Sequence, residues 1–434
     1  MPNQQHGIVA HAETEKLNHE CVACPFCGLH CDDLTIATTG AGLIVAANGC
    51  DRAKAGFERN VPCASPQIGG QDAPLETAIG EAARRLKASR LPLIGGLGTD
   101  VEGMRALLAM ADKAGAVVDH VLSTALYRNT GVLQTKGWFM STLTETRNRA
   151  DLLIVVGSDL SKEHPRFYER IASPADVMFE STSGQRTVVL IGCGAGAATK
   201  VTGERIGKVL DVACEPADIP VLLGALRALL KGVPHAAPPP AGVSEAMLAE
   251  IAELCRKASY GVVVWAPQAL SFPGADLAVQ IISDIVRDMN KTTRFAGLSL
   301  GGNDGVASAA SVCSWQSGYP LRVSFASGAP EYDPYRFDIA RMLAEGEGDL
   351  LVWVSTFTPD AGPPATDLPT IVIGTPGLAL SRTPDVFIPV GTPGLDHGGR
   401  LVRCDGVVSL PLRGVRAGQH PRLIDVAAGI EAAL

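Results

Sequence analysis

The sequence predicts an α/β protein with parallel sheets and a small cysteine-rich segment in front of them. Two observations carry this prediction. Short apolar runs alternate with amphipathic helical segments along most of the chain, which is typical of parallel strands covered by helices on both faces. Four cysteines lie close together near the N-terminus, in the spacing Cys-x2-Cys-x2-Cys-x3-Cys. Each part of the chain supports one of these two features.

The cysteine-rich segment covers residues 20–70. Its stretches DDLTIATT and GLIVAAN have the composition of short strands, and Gly40 and Gly42 lie between them. They predict a small hairpin with its turn at these glycines.

The first α/β alternation begins where Asp72 and Pro74 mark a helix start. It ends with a helix that stops at Gly232. Between these points the buried strands are predicted at the apolar runs LPLIGG, GAVVD, ADLLIVVGS and RTVVLIGCG.

A Pro/Ala-rich stretch, VPHAAPPPAGV, predicts a linker at 233–243. The alternation restarts after it, with strands at GVVVWA, DLLVWVS and TIVIG, and the Gly-rich C-terminal part contains short strands. The predicted divisions are the cysteine-rich segment at 1–71, a first α/β domain at 72–232, a second at 244–375, and a C-terminal part at 376–434 packed on both.

Composition limits the function classes. The net charge of −8 argues against nucleic acid, because phosphates need a basic surface. We find no run of 18 apolar residues and so expect no membrane span. The first residues lack the features of a secretory signal, so we expect a reducing, cytoplasmic location in which the 11 cysteines are metal ligands or buried thiols. Only 19% of residues are charged, so we also expect partner subunits to bury apolar surface.

The cysteine spacing predicts a metal centre. Thiolates two and three residues apart can wrap one small centre, and Cys50 in NGCDRAKAGF is a further candidate ligand. Four thiolates bind zinc or a 4Fe–4S iron–sulfur cluster equally well, so the spacing leaves the metal open. The alternative is a set of buried free thiols, because cysteine packs like a small hydrophobe.

The stretch CPFCGLHCDDL, with the later NGC, resembles the N-terminal cluster motif of molybdopterin and tungstopterin oxidoreductases. It is most similar to the B-type subunit of formylmethanofuran dehydrogenase. The resemblance implies that Cys24, Cys27, Cys31 and Cys50 are the metal ligands and that Cys21 is not one. Further similar stretches follow in the family's order: AVVDHVLS, NRADLLIVVGSDL, EHPRFYER, GNDGV, SGYP, ASGAPEYDP and DVFIPVGTPGLDHGGRLVRCDG.

The resemblance also locates a departure, at 119–131. The family's active enzymes have Ser-x-Cys-His-Gly there, and that cysteine ligates molybdenum or tungsten. This chain has Ser-Thr-Ala-Leu-Tyr instead, beginning at Ser123. The methyl group of Ala125 cannot coordinate a metal and Leu126 cannot move a proton. The hydroxyl oxygens of Ser123 and Thr124 could ligate a metal in principle, but both lie on the wrong side of the ligand position. The resemblance therefore implies a degenerate pterin site around Ser123, Ala125 and Leu126, with no molybdopterin or tungstopterin and no catalytic residue.

Other motifs give weaker signals. The glycines of 192–196 stand where the family has an acidic residue and an arginine; they lack the full GxGxxG spacing and predict a tight turn. The GGLG of 95–98 predicts a strand-to-helix turn rather than an anion site. We interpret His164 and the turn at 396–399 as structural. The sequence has no nucleophile elbow, zincin motif or Walker loop.

The resemblance implies a first function hypothesis, a non-catalytic scaffold subunit of a formyltransferase/hydrolase complex like those of methylotrophic bacteria. Such a complex transfers a formyl group from formyl-tetrahydromethanopterin to a methanofuran-like carrier and hydrolyses it to formate, without releasing electrons. Its other subunits would be an amidohydrolase-like hydrolase, a formyltransferase and a C-type subunit. A second hypothesis is an active molybdenum or tungsten formylmethanofuran or formate dehydrogenase subunit. A third, a dinucleotide-binding protein, is disfavoured by the cysteines.

Overall fold

A computed structural model of the chain describes residues 17–40, 42–179, 184–234 and 238–434. The stretch in which no signal peptide is expected lies outside these residues, as does part of the Pro/Ala-rich linker. The strands of the described ranges are, in chain order, β1 (Leu17–Val22), β2 (Leu34–Thr39), β3 (Gly42–Ala47), β4 (Gln67–Ile68), β5 (Gln71–Asp72), β6 (Pro92–Gly98), β7 (Val117–Val118), β8 (Leu152–Val156), β9 (Arg186–Ile191), β10 (Ile206–Val212), β11 (Tyr260–Trp265), β12 (Arg294–Ser299), β13 (Val323–Ser324), β14 (Glu331–Tyr332), β15 (Leu350–Ser355), β16 (Thr370–Gly374), β17 (Val386–Pro389), β18 (Gly399–Val402) and β19 (Ser409–Leu412).

Helices alternate with these strands, as the sequence predicts. None of them, within the described residues, combines the length and the apolar character needed to cross a membrane. In chain order the helices are α1 (Asp51–Phe57), α2 (Leu75–Ala88), α3 (Val101–Ala114), α4 (Ser123–Lys136), α5 (Leu143–Arg149), α6 (Leu160–Glu163), α7 (Ile219–Leu230), α8 (Glu245–Lys257), α9 (Ala275–Met289), α10 (Val306–Ser317), α11 (Ile339–Ala344) and α12 (Leu423–Ala433), with a π-helical turn at Tyr168–Ala172.

The N-terminal strands form an antiparallel sheet in the order β1-β2-β3. Its β2 and β3 are the predicted hairpin, paired from Thr35 with Ala47 to Thr39 with Gly42. Gly42 has a φ of 130°, a conformation that side-chain-bearing residues rarely adopt. Leu43 and Val45 are buried while their neighbours are exposed, so one face of the hairpin packs on the protein.

A five-stranded sheet has the order β10-β9-β8-β11-β12, and all its neighbouring strands are parallel. Every residue of β8 is buried. This confirms the prediction from its continuous apolar run, because such a run is expected where helices cover both faces of a parallel sheet.

A nine-stranded mixed sheet has the order β14-β13-β7-β6-β15-β16-β17-β4-β5. The neighbouring strands β7, β6, β15, β16 and β17 are parallel to one another. The short strands at both edges pair antiparallel to their neighbours. β6 and β15 lie side by side at the centre, and their register shifts between Trp353 and Ser355. These two parallel strands therefore end side by side near the centre of the strand order.

The predicted linker at 233–243 does not separate the sheets. β8 precedes it and β11 follows it, yet the two strands pair directly, with Gly261 opposite Leu152. The nine-stranded sheet likewise takes β6 and β15 from opposite sides of the linker. The domain divisions predicted from the sequence therefore do not coincide with the limits of the sheets, because hydrogen bonds between strands distant in sequence join the two halves.

The C-terminal part ends in α12, where the sequence analysis predicts only short strands. Leu423, Val426, Ala427 and Ile430 are buried at helical spacing, and the helix packs against α2 and α3. The prediction of short strands alone was therefore incomplete. The helical spacing of these apolar residues is present in the sequence and could have predicted the helix.

Candidate functional site: the cysteine loop and the adjacent cavity

The predicted metal ligands lie in one region. Cys24, Cys27 and Cys31 are each 4% exposed and belong to one apolar core, against which half-buried Cys50 packs. Cys21 is exposed. The loop is closed by a backbone hydrogen bond of 2.8 Å from the amide of Cys24 to the carbonyl of Cys31. The fold thus places the four predicted ligands in one region and leaves Cys21 at the surface.

Burial makes the thiols of the cysteine loop weaker acids than an exposed cysteine. It raises the pKa of Cys24 well above its usual value, and the neighbouring Cys27 raises it further. Burial raises the pKa of Cys27 to about 12, and Cys31 adds to that effect. The buried cysteines of the loop therefore offer neutral thiols at physiological pH, and a bound cation would have to supply the charge that makes them thiolates.

The donor chemistry of four cysteines suits zinc or an iron–sulfur cluster. Within the described ranges, however, no three His, Cys, Asp or Glu side chains stand close enough together to hold a metal ion. The metal site on Cys24, Cys27, Cys31 and Cys50 therefore stays a prediction. Its ligands share a core but do not form a coordination shell.

Cys404 is a thiol that the sequence analysis does not single out. Its amide donates a hydrogen bond of 3.0 Å to the carbonyl of Gly28, inside the cysteine loop. Burial raises its pKa, and the charge of nearby Asp405 and then Cys27 raise it further. In the sequence, Cys404 is marked only by its place in LVRCDG, one of the stretches that resemble the family. Its proximity to the cysteine loop depends on a contact between residues far apart in sequence.

Two aspartates of the cysteine motif anchor the loop. The guanidinium of Arg166 donates to both carboxylate oxygens of Asp33, at 2.7 and 2.9 Å, and Arg170 donates to Asp32 at 2.7 Å. Burial raises the pKa of Cys31, although Arg170 beside it acts in the opposite direction. These aspartates thus hold the loop against the segment after α6.

His164 lies beside Gly301 and the cysteine loop, and within the described residues its buried Nδ1 has no hydrogen-bond partner. It is fully buried, and its Nε2 lies 3.3 Å from the carbonyl oxygen of Gly301. Burial lowers its pKa to about 4, so the imidazole is neutral at physiological pH. Gly301 in turn presses on the cysteine loop, because a Cβ placed on Gly28 would lie 1.8 Å from the Gly301 oxygen.

The predicted degenerate site lies on α4. Ala125 and Leu126 both line a cavity of about 290 Å³, whereas Ser123 points to the other side, where its hydroxyl oxygen lies 3.2 Å from Nη2 of Arg322. The structure therefore brings Ala125 and Leu126 to a cavity and places Ser123 outside it.

The cavity is lined mainly by apolar side chains, and several of its polar side chains are paired with protein groups. Asn129 donates to Ser299 at 2.8 Å and accepts from the indole of Trp265 at 2.9 Å. Asp405 is bound to Arg403 at 2.7 Å. The lining residues include one thiol, that of Cys404. They are Leu122, Ala125, Leu126, Asn129, Thr130, Leu133, Trp138, Met140, Pro267, Gln268, Ser299, Gly301, Gly302, Asn303, Val306, Ala307, Cys404, Asp405 and Gly406.

The two glycine loops form turns, as the sequence predicts. Gly96 and Leu97 have positive φ values of 77° and 57° where β6 ends, and Asp100 caps α3 by accepting from the amide of Gly103 at 3.0 Å. In the other loop Gly192 turns the chain after β9, and a short 3-10 turn at Ala198–Lys200 follows. That second loop therefore does not lead into a helix of the kind that binds a dinucleotide phosphate.

The fold defines the class first. The chain resembles the structure of acetylene hydratase from Pelobacter acetylenicus with a TM-score of 0.62 and 11% identity, over 96% of this chain and 70% of that one. At that identity the likeness concerns the fold alone. It confirms the predicted α/β fold of the molybdopterin-oxidoreductase type.

More similar proteins specify the family. The chain is 31% identical to the B-type subunit of the formyltransferase/hydrolase complex Fhc from Methylorubrum extorquens, over 338 residues, 77% of this chain and 87% of that protein. A crystal structure of the FhcABCD complex from that organism, with methylofuran, matches with a TM-score of 0.72 and 29% identity, over 85% of this chain and 98% of the matched chain. The chain belongs to the family of the B-type subunits of formyltransferase/hydrolase complexes.

Methanogen proteins are also related. The chain is 28% identical over 402 residues to the B-type subunit of a tungsten-containing formylmethanofuran dehydrogenase from Methanocaldococcus jannaschii, 89% of this chain and 91% of that protein. No family model matches the sequence. The resemblance to the B-type subunit of formylmethanofuran dehydrogenase is thus confirmed.

Proposed function

We propose that this chain is a non-catalytic scaffold subunit of a formyltransferase/hydrolase complex in one-carbon metabolism. The complex would transfer a formyl group from formyl-tetrahydromethanopterin to a methanofuran-like carrier and hydrolyse it to formate. One observation carries the proposal: in a chain of this family, Ala125 and Leu126 line the cavity beside α4. Neither side chain can coordinate a metal or exchange a proton.

The partners follow from the same assignment. The hydrolysis belongs to an amidohydrolase-like subunit with its own metals, the transfer to a formyltransferase subunit, and a C-type subunit completes the complex. The carrier is held by the complex rather than by an identified residue of this chain. A cytoplasmic location is part of the proposal, and the cysteines of the described residues, all free thiols, are compatible with a reducing compartment.

The proposal includes a structural metal on Cys24, Cys27, Cys31 and Cys50. Their common core and their soft donor atoms support it, and they suit zinc as well as a 4Fe–4S cluster. The positive charge of such a metal would stabilise the thiolate forms of the four cysteines, and its bonds to them would hold the N-terminal segment together. It would have no redox partner at α4, because the cavity wall there carries only Ala125 and Leu126 at the positions of the family's metal ligand and its neighbour.

The second candidate function is an active molybdenum or tungsten dehydrogenase subunit. One observation favours it: tungsten-containing dehydrogenase subunits are similar to this chain over 89% of its length. It requires a metal held without a ligand from Ala125 or Leu126.

The test uses the complex as it forms in the cell. A tag on this chain should recover the hydrolase, the formyltransferase and the C-type subunit together. The recovered complex should convert formyl-tetrahydromethanopterin to formate with no electron acceptor. The proposal fails if the tagged chain is recovered without these subunits, or if formate formation requires a redox dye.

A further inference from the structure

Arg322 is a buried cation with an unusual number of partners. Its side chain is 7% exposed, and Nη2 lies 2.8 Å from the carboxylate of Asp338 while Nε lies 3.5 Å from that of Asp119. Nη1 donates to the carbonyl oxygen of Pro334. Arg322 and Leu321 have positive φ values of 49° and 72°, a conformation that persists in side-chain-bearing residues only where the surroundings fix it.

Further contacts of the Arg322 side chain go to the first turns of α4. Nη2 donates to the hydroxyls of Ser123 and Thr124, at 3.2 and 3.0 Å. The guanidinium also lies 4.4 Å from the ring centroid of Tyr127, in cation–π contact. One charged group thus binds three side chains at the start of a single helix.

The opposite face of α4 forms the cavity wall. Ala125, Leu126, Asn129 and Leu133 line the cavity, at spacings that place them on one side of the helix. The helix has no side-chain cap at Leu122, so its first turn depends on other contacts. Whatever fixes the Arg322 face therefore also fixes the position of the cavity wall.

Both carboxylates are themselves anchored. Asp338 caps α11 by accepting from the amide of Arg341 at 3.2 Å. Asp119 follows β7 and accepts from the amides of His120 and Ile339, at 2.9 and 3.2 Å. Arg322 therefore connects α4 to a strand end and to a second helix start, and each connection is an ion pair or a charge-assisted hydrogen bond.

We propose that Arg322 is an electrostatic latch for α4. Its charge, held between Asp119 and Asp338, fixes the first turns of the helix. It thereby keeps the α4 residues that line the 290 Å³ cavity in place. The latch acts through charge, so a neutral side chain of similar length does not replace it. Lysine replaces part of it, because the positive charge remains between the two carboxylates.

Hydrogen exchange on the full-length chain tests the latch. In Arg322→Met we expect the amides of 124–130 to exchange about tenfold faster than in the wild type, and Arg322→Lys to recover at least about half of that loss on a logarithmic scale. The control is Arg186→Met, because Arg186 is equally buried but donates to the carbonyls of Ile171 and Arg147, away from α4. The proposal is overturned if Arg186→Met accelerates exchange in α4 as much as Arg322→Met does.

The pH profile separates a latch from a packing role. The titratable or charged groups around Asp119 are Arg322, Asp338, Tyr127 and Cys313, with neutral His120 beside it. Without the Arg322 charge, ionised Asp119 and Asp338 repel each other. The excess exchange of Arg322→Met over Arg186→Met should therefore grow between about pH 6 and about pH 9.

A flat excess over that range overturns the proposal. If Arg322→Met does not fold, the exchange rates of the α4 amides are measured in Asp338→Asn instead. That substitution removes the closest ion pair of Arg322 and leaves the arginine in place. Faster exchange confined to 124–130 and the start of α11 then supports the latch. Exchange in α4 unchanged from the wild type in Asp338→Asn contradicts it.

Discussion

Arg166 binds Asp33 with two parallel hydrogen bonds, at 2.7 and 2.9 Å, and so fastens the cysteine loop to the segment after α6. The arginine side chain is 6% exposed and the aspartate 35%. A bidentate arginine–carboxylate pair is strong and specific in direction. The loop is therefore attached through its aspartates as well as through any metal that its cysteines hold.

Asp33→Asn should weaken this attachment. Loss of the carboxylate removes one of the two bidentate partners of the nearly buried Arg166, which keeps Glu169, and we expect the free energy of unfolding to fall by about 1.5 kcal/mol. Urea denaturation of the full chain measures the change, and limited proteolysis should show faster cleavage around the cysteine loop. The control is Arg84→Met, which breaks the pair between the exposed Arg84 and Glu81 and should leave the free energy of unfolding nearly unchanged. Equal effects of the two substitutions would show that Asp33 is not an anchor.

Two glycine-to-alanine substitutions should have opposite signs. A Cβ on Gly28 would lie 1.8 Å from the carbonyl oxygen of Gly301, so the cysteine loop must move away and stability should fall by about 3 kcal/mol. A Cβ on Gly80, inside α2, would meet nothing within 4 Å, and alanine there should stabilise the chain by about 0.5–1 kcal/mol. Thermal unfolding compares them. A tolerated Gly28→Ala would mean that the loop does not pack against Gly301 as described.

Cys27→Ser tests the structural metal. If Cys24, Cys27, Cys31 and Cys50 hold one metal, removal of one ligand should release it and weaken the assembled complex, with no loss of electron transfer. Elemental analysis of the complex measures zinc and iron. Cys255→Ser is the control, because Cys255 is also buried but belongs to a different apolar core, among α7, α8 and α9. The assignment fails if the metal content of Cys27→Ser equals that of the control.

Asp119 should make stability depend on pH. Burial raises its pKa from 3.8 to about 7, although Arg322 acts in the opposite direction. Because the pKa is higher in the folded state, the stability linked to this group is fully present below about pH 4 and is lost as the pH rises through about 7. The difference in unfolding free energy between wild type and Asp119→Asn should fall over this range, by at most about 1.4 kcal/mol per pH unit.

Asp349 provides a control of opposite sign. Burial raises its pKa, but hydrogen bonds from Ser89 and from the amides of Arg90 and Leu91 outweigh it and lower the pKa overall. Its linked stability is present above the usual aspartate range and is lost on acidification. The difference in unfolding free energy between wild type and variant should therefore change with pH in opposite directions for Asp119→Asn and Asp349→Asn. A change in the same direction for both would contradict the environment described for Asp119.

Local patterns predicted much of this structure. The hairpin of β2 and β3, the buried run of β8 and the turn at Gly96 follow from alternation, apolar continuity and glycine. The resemblance places Ala125 where the family's active enzymes carry their metal-ligating cysteine, and the degenerate site there stays a prediction. The proximity of Cys404 to Gly28 and of Arg322 to Ser123 was not visible, because each pair is far apart in sequence and no local pattern encodes it.

The linker shows the same limit. Proline and alanine at 233–243 describe the chain's local conformation, but whether a sheet continues across them depends on strand pairing. β8 and β11 pair, and residues of both pack in one core with α7 before the linker and with α8 and α9 after it. Composition carries no information on that pairing.

The central claim is that this chain supports a formyltransferase/hydrolase complex without a pterin metal centre of its own. Elemental analysis of the complex purified through this chain tests it most directly. The account predicts no molybdenum and no tungsten above background, together with formate formation in the absence of an electron acceptor. Molybdenum or tungsten in stoichiometric amount with this chain would contradict it.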